Sequence, residues 1–376
     1  MSRARTFADL ATASEAGSLA SPNMIINGDM AVAQRATSAS GIGASTGYHT
    51  VDRFVTEFTT SGRMTQSQAA ITDLPGFKYA LKCDCTTADT SVDAAEYTLI
   101  NQRMEGYTVS GLASGTSSAK KSTVSFYVKG NASATYVVEL IKAGDRHINK
   151  TFSVTTSWSR VSITFDGDTT TQLAQDNTQE LSVNIWIHAG SNYTSGSLQT
   201  SWGAYTAANR AVGISSFFDS TNRELFITGM QYELGEVATP FKHETFGDNL
   251  ARCQRYFNKV DATHVNNARF GIAQMYSTGG GEIYFYPPVA MRTEPSLGQT
   301  GTAGDYAFYS ANATLECTGV PTIGSASSKE CIMAYAYCSG ATVGRAAVLM
   351  ADSTTNAYLE FVQNYRSCYE NDNNKC

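Results

Sequence analysis

From Asn23 to about Phe241 apolar residues recur at every second position. Val124, Phe126 and Val128 alternate with Ser125, Tyr127 and Lys129, Gly130-Asn131 turns the chain, and Thr135 to Leu140 resumes the pattern. Leu181, Val183, Ile185 and Ile187 form a second clean stripe, with Ser182, Asn184, Trp186 and His188 on the opposite side. Val161, Ile163 and Phe165 follow Trp158, which groups with the sandwich interior, and Asp166-Gly167-Asp168 closes that strand with a turn. Leu225 to Leu234 reads as the last strand of the unit. Such alternation marks half-buried strands, most economically antiparallel. The run from Pro22 to Arg35 rises into Met24-Ile25-Ile26 and stops at Asn27-Gly28-Asp29. Asn-Gly tolerates positive φ, so this stretch predicts an opening strand that ends in a turn.

One helix is legible. In Thr245 to Phe257 the residues Phe246, Leu250, Cys253 and Phe257 keep helical spacing, and Thr245 with Asp248 forms a capping box. Period two then returns in Arg269 to Ala273, Glu282 to Tyr286, Cys331 to Cys338 and Ala357 to Val362. The predicted architecture is all-β. A jelly-roll β-sandwich spans residues 23–243, a short linking helix 244–258, a second, smaller β-sandwich domain 259–366, and an exposed polar tail 367–376.

Composition supports this reading and removes other classes. A chain of 376 residues is too long for one ordinary core, and its abundance of Ser, Thr, Gly, Asn, Tyr and Phe suits strands joined by tight turns. A net charge of -6 and the lack of any basic run argue against a nucleic-acid partner. No segment approaches the roughly twenty apolar residues of a membrane span, so no membrane insertion is expected. The first twenty residues have no apolar h-region and do not read as a secretion signal. Thr6-Phe7-Ala8-Asp9-Leu10 predicts a short helix with Phe7 and Leu10 on one side. The leader of residues 1–22 has too little apolar surface to order itself, so a neighbouring chain or larger assembly is its expected support. The eight cysteines lack zinc-site spacing. Buried free thiols are expected, with Cys83 and Cys85 on one face, and an isolated Cys368 to Cys376 bridge as the alternative for that pair.

Three runs together resemble a known family. Asn23 to Met30, Ala33-Gln34-Arg35 and Tyr48-His49-Thr50-Val51-Asp52-Arg53-Phe54 are similar to the opening of tail-fibre and virion structural proteins of tailed bacteriophages, where Trp usually stands at the position of Phe54. Gly229 to Phe241 with Leu250 to Phe257 resembles the close of the same carbohydrate-binding-module-like jelly roll and its linking helix. Pro288 to Pro295 and Ala357 to Phe361 resemble the β domain appended in such fibres. The resemblance implies a virion component, commonly a homotrimer, located on the tail and assembled in the host cytoplasm. It further implies attachment to other virion proteins through residues 1–22, which makes Phe7 and Leu10 the candidate particle-attachment residues.

The chemistry expected is recognition. A glycan-cleaving fibre needs two carboxylates placed across a sugar bond. Asp166 and Asp168 read instead as a turn, while Glu294, Glu316, Glu330 and Glu360 are scattered and the five histidines are isolated. No nucleophile-elbow, zinc-protease or phosphate-loop motif is present, so no catalytic residue, cofactor or metal site is expected. Sugar recognition asks for aromatic faces with a few polar groups. Tyr127, Trp186 and His188 lie opposite their apolar stripes, and Tyr193, Trp202 and Tyr205 lie in a Gly/Ser-rich loop region. These six are candidate contacts to a glycan or to another subunit, both of which favour exposed rings. Asp52-Arg53 and Gln34-Arg35 are expected to make structural contacts inside the module. The expected function is a non-enzymatic tail fibre or tail-associated adhesin that contacts the host through its distal β domain. The alternatives are a decoration protein without receptor binding and a glycan depolymerase.

Overall fold

The computed structural model describes residues 23–142, 146–262, 265, 267–352 and 357–363. The helix expected at Thr6 to Leu10, with Phe7 and Leu10, and the Cys368 and Cys376 pair lie outside these residues. The chain divides into two compact units between Phe246 and Gly247.

The first unit is a sandwich of two six-stranded antiparallel sheets. One sheet has the spatial order β1 (Ser38–Ile42), β3 (Arg63–Ala70), β4 (Tyr79–Thr87), β12 (Glu224–Leu234), β6 (Ser122–Gly130), β9 (Ser159–Phe165). The other has the order β11 (Gly203–Ala204), β8 (Arg146–Val154), β7 (Ala134–Lys142), β10 (Gln179–Ala189), β5 (Tyr97–Glu105), β2 (Val55–Thr59). Neighbours in space are mostly distant in sequence, as in a jelly roll. The expected stripes meet between the sheets: Val124, Phe126 and Val128 of β6 face a core that includes Val138, Leu140, Leu181, Val183, Ile185 and Ile187 of β7 and β10. Trp158 departs from expectation. Its ring packs on Phe226, with centroids 6.2 Å apart, and under the Lys129 ammonium at 5.1 Å, on the outer side of the first sheet.

The stretch Met24 to Asp29 is buried but is not the strand its apolar run predicted; it is a series of bends and a turn, and the first strand is β1. The reason lies in side chains that take the place of a ladder. Asn23 receives the Tyr232 N–H at Oδ1 (3.0 Å) and donates from Nδ2 to the Met230 carbonyl (3.1 Å). Asn27 sits at φ +62° and bonds Val32 through both ends of its amide, at 2.8 and 2.9 Å, while also donating to the Asp52 carbonyl. Gly28 is required here, since a Cβ would stand 2.1 Å from the Met230 carbonyl oxygen. Asp52 then accepts from the Gln34 N–H (3.0 Å) and amide (2.5 Å) and pairs with Arg35 at 3.9 Å. Burial pushes the Asp52 carboxyl above its usual range, against the opposing pull of Arg35 and Gln34. The opening and closing runs of the module are thus bonded to each other.

The second unit opens with helix α3 (Phe246–Gln254; α1, Gly106–Val109, and α2, Ser191–Thr194, are single turns). The helix is shorter than expected, and Phe257 belongs to the next strand. A three-stranded sheet runs β13 (Phe257–Asp261), β22 (Tyr358–Val362), β16 (Ser296–Gln299). A seven-stranded sheet runs β18 (Ala313–Glu316), β17 (Tyr306–Ser310), β21 (Ala346–Ala351), β14 (Arg269–Ser277), β15 (Gly280–Phe285), β20 (Ile332–Tyr337), β19 (Thr322–Ile323). Met275, Ile283, Phe308 and Leu349 of the larger sheet share one core with Leu359 and Phe361 of the smaller, so this unit is the smaller β-sandwich. The described cysteines are free, and all but Cys331 are buried.

Candidate functional site

Trp186 lies on the side of β10 that alternation predicts, yet it is 0 % exposed. The segment from Gly190 to Phe218 folds back over this face of the second sheet and covers it. Ala211 and Trp186 share a small apolar cluster with Leu99 and Val137, with Tyr193, Leu198 and Ile214 packed against it. Beneath is a buried polar hub. Glu139, also 0 % exposed, takes a bidentate contact from Arg210 (2.7 and 2.6 Å) and accepts from the Trp186 indole N–H (2.9 Å) and the Asn184 amide (2.7 Å). Burial by itself would raise the Glu139 carboxyl; the charge and hydrogen bonds of Arg210, with His147 Nδ1 beside it at 3.4 Å, outweigh it and hold the group below the carboxylate range. The guanidinium lies 4.5 Å from the Trp186 ring centroid and 5.2 Å from that of Tyr205.

The candidate contacts therefore separate. Trp186 and His188 are fully buried, so neither is available to a glycan or a second subunit. Period two identifies the face a residue occupies but carries no information on a loop that returns to cover it. Tyr193 is half-buried beside Trp186, with ring centroids 5.3 Å apart, and Tyr205 reaches the surface at the far side of Arg210. Trp202 stands apart from them, under the Lys142 ammonium, its indole N–H donating to the Asp166 carbonyl at 2.6 Å. Asp168 is buried against Lys142 (2.6 Å) and Arg146 (3.0 Å), which is a structural use of that carboxylate.

Tyr127 lies on the outer face of the first sheet, half-buried in an aromatic group. Phe77 stands 5.2 Å from Tyr127, 5.1 Å from Phe241 and 5.1 Å from His243, between ring centroids. Beside it opens a cleft of about 630 Å³ lined by Phe77, Tyr79 and His243 together with Asp29, Gln68 and Lys78. Rings and polar groups around one concavity suit a sugar-sized ligand. Single-sequence reading found Tyr127 here but missed Phe77 and His243, which come from a loop and from the segment after β12.

In the second unit the outer face of the seven-stranded sheet carries a run of large side chains that alternation makes plain. Cross-strand pairing places Tyr309, Val348, Ile272, Tyr284 and Met333 in one row and Gln274, Glu282 and Tyr335 in the next. Tyr276 stacks edge-on with Tyr335 at 5.7 Å. Exposure is high for a sheet face: 71 % at Ile272, 73 % at Tyr286 and 50 % at Tyr337. Ile272 lies in β14, Tyr337 ends β20 and Tyr286 follows the end of β15; the sequence pattern marked strands here but not which of their faces meets water.

No family model and no curated protein matches the chain. Among solved structures, one described as "CBM4 structure and function" is 12 % identical, with a TM-score of 0.29, over 55 % of this chain and 97 % of the other. The enzymatically active domain of bacteriophage CBA120 tailspike protein 4 is 10 % identical, with a TM-score of 0.29, over 56 % of this chain and 21 % of the other. TmCBM61 in complex with beta-1,4-galactotriose is 9 % identical, with a TM-score of 0.26, over 56 % of this chain and 97 % of the other.

Proposed function

We propose that the chain is a virion structural protein of a tailed bacteriophage, a tail fibre or tail-associated adhesin. On this reading it attaches to other virion proteins through residues 1–22, forms a homotrimer, and contacts a host-surface glycan through the β domain that follows the helix. The observation that supports it most is the exposed tyrosine face of the seven-stranded sheet. Contiguous rings in water have a free-energy reason to be covered, and an isolated domain gains nothing from displaying them. Planar rings interspersed with Gln274 and Glu282 offer the apolar platform and orienting groups that sugars require. Individually weak contacts of this kind become useful when symmetric copies present them together. The mutual bonding of the Asn23 to Arg35 and Gly229 to Tyr232 runs supports the module assignment on which the virion reading rests.

The test is binding of the intact protein to labelled host envelope. Tyr286→Ala with Tyr337→Ala is expected to weaken binding about tenfold or more while leaving the melting temperature unchanged, as removal of exposed hot-spot rings does. No binding by the intact multimer would sink the adhesin reading. Ile272, an aliphatic residue at the centre of the face, favours a second reading in which the face is a contact between proteins of a decoration layer. Protection of Ile272 and Tyr337 from solvent labelling in the isolated multimer would select that reading. Release of reducing ends from host polysaccharide would replace both with a depolymerase.

A further inference from the structure

One buried group in the jelly roll has no part in the surfaces above. It lies at the rim where β2 ends, β5 begins and β10 ends. Asp89, Glu96 and His188 are all buried and place one donor atom each within 4.8 Å of one another. His188 Nε2 stands 3.9 Å from Asp89 Oδ2 and 4.0 Å from Glu96 Oε2, too far for a hydrogen bond, and has no hydrogen-bond partner. The imidazole is 0 % exposed and aimed between the two carboxylates.

The surroundings hold all three groups in place. His188 Nδ1 lies 2.8 Å from Ser216 Oγ, and the Phe218 ring packs edge-on against the imidazole at 5.3 Å. With the proton on Nδ1, Nε2 presents its lone pair to the carboxylates. The Thr60 hydroxyl donates to Asp89 Oδ2 at 2.9 Å, and the N–H groups of Ser61 and Asp93 donate to the two oxygens of Glu96, each at 2.9 Å. Burial holds His188 below its ordinary value, against the opposing pull of Asp89. Among the described residues no lysine or arginine forms an ion pair with Asp89 or Glu96. Asp89 and Glu96 also stand within hydrogen-bonding reach of each other, so without a cation the buried pair must share a proton, and an ion would supply the positive charge in its place.

We propose that Asp89, Glu96 and His188 bind a divalent transition-metal ion, of the Zn2+ class rather than Ca2+. The imidazole decides the class, because calcium takes oxygen ligands while zinc accepts nitrogen with carboxylate. Donors sharing one ion at bond lengths of about 2.0 to 2.3 Å stand roughly 3 to 4 Å apart, so the observed spacing needs at most a small closure. The ion would tie two separate stretches together at the rim, the loop carrying Asp89 and Glu96 and the end of β10, while Thr60 and Ser61 after β2 bond to its carboxylates.

The experiment uses the full chain, stripped with a chelator and titrated with Zn2+ by calorimetry and with Co2+ by visible absorption. One saturable equivalent is expected, with a rise in melting temperature, a cobalt spectrum free of thiolate charge transfer, and no competition from Ca2+. Asp89→Asn and His188→Gln are each expected to weaken binding at least tenfold, the lower bound for loss of a supporting group at a metal site. Absence of a saturable equivalent, or undiminished affinity in both variants, would overturn the site. If the variants do not fold, the cobalt spectrum of the unaltered chain decides: a thiolate band places the ion on cysteine and overturns the proposal.

Discussion

Single residues matter most here where charge is buried. Glu139 is enclosed with Arg210, and the pair is tolerable because the carboxylate receives the full fork of the guanidinium as well as indole and amide donors. Removing one partner leaves the other uncompensated. Arg210→Met is therefore expected to lower stability by about 3 to 5 kcal/mol, read as a loss of denaturant midpoint. The acid limb of the stability profile supplies the sign. The folded-state value of Glu139 lies below its ordinary 4.5, so its contribution is complete above that pH and is lost as pH falls further. In the Arg210→Met protein the depression is relieved, and acid unfolding is expected to begin at a higher pH. An acid limb that does not move would mean that Glu139 is not held by Arg210.

At the scale of elements, the segment from Gly190 to Phe218 has the largest consequence. It contributes only the turn α2, the two-residue strand β11 and a 3-10 turn at Ala207–Asn209, yet it closes the outer face of the second sheet. Its Gly190 N–H donates to the Glu96 carbonyl at one end and its Ser215 N–H to the Thr135 carbonyl near the other, which ties it down at both ends. Trp186→Ala opens a cavity under this cover and is expected to cost about 3 to 5 kcal/mol. If the face is closed, envelope binding measured well below the melting temperature should be unchanged. A selective loss of binding with full stability would restore Trp186 as a surface contact. The alternation of β10 gave the correct side for this residue; the covering loop has no period and could not be read.

At the scale of the molecule, the two units each have their own core, and the segment between β12 and α3 is largely exposed, with Val237 at 71 %. Brief trypsin treatment is expected to cut at Lys242 and leave two resistant fragments identifiable by mass. Early cuts only within the strand ladders would contradict that division. Much of this organisation is local in origin. Alternation sets strands, Gly and Asn set turns, and helical spacing with an acidic first turn marks the helix, because each depends on residues near in sequence. The sequence by itself therefore determined an all-β chain with a helix between two sandwiches. The tertiary structure alone decided which outward faces meet water. Met24 to Asp29 lost its strand to bonds with Met230 and Tyr232, two hundred residues away, and Trp186 and His188 lost their exposure to a returning loop. Glu139 with Arg210, and Asp89 with Glu96 and His188, likewise owe their chemistry to contacts that only closure of the sandwich creates, since charge and burial depend on distance in space rather than along the chain.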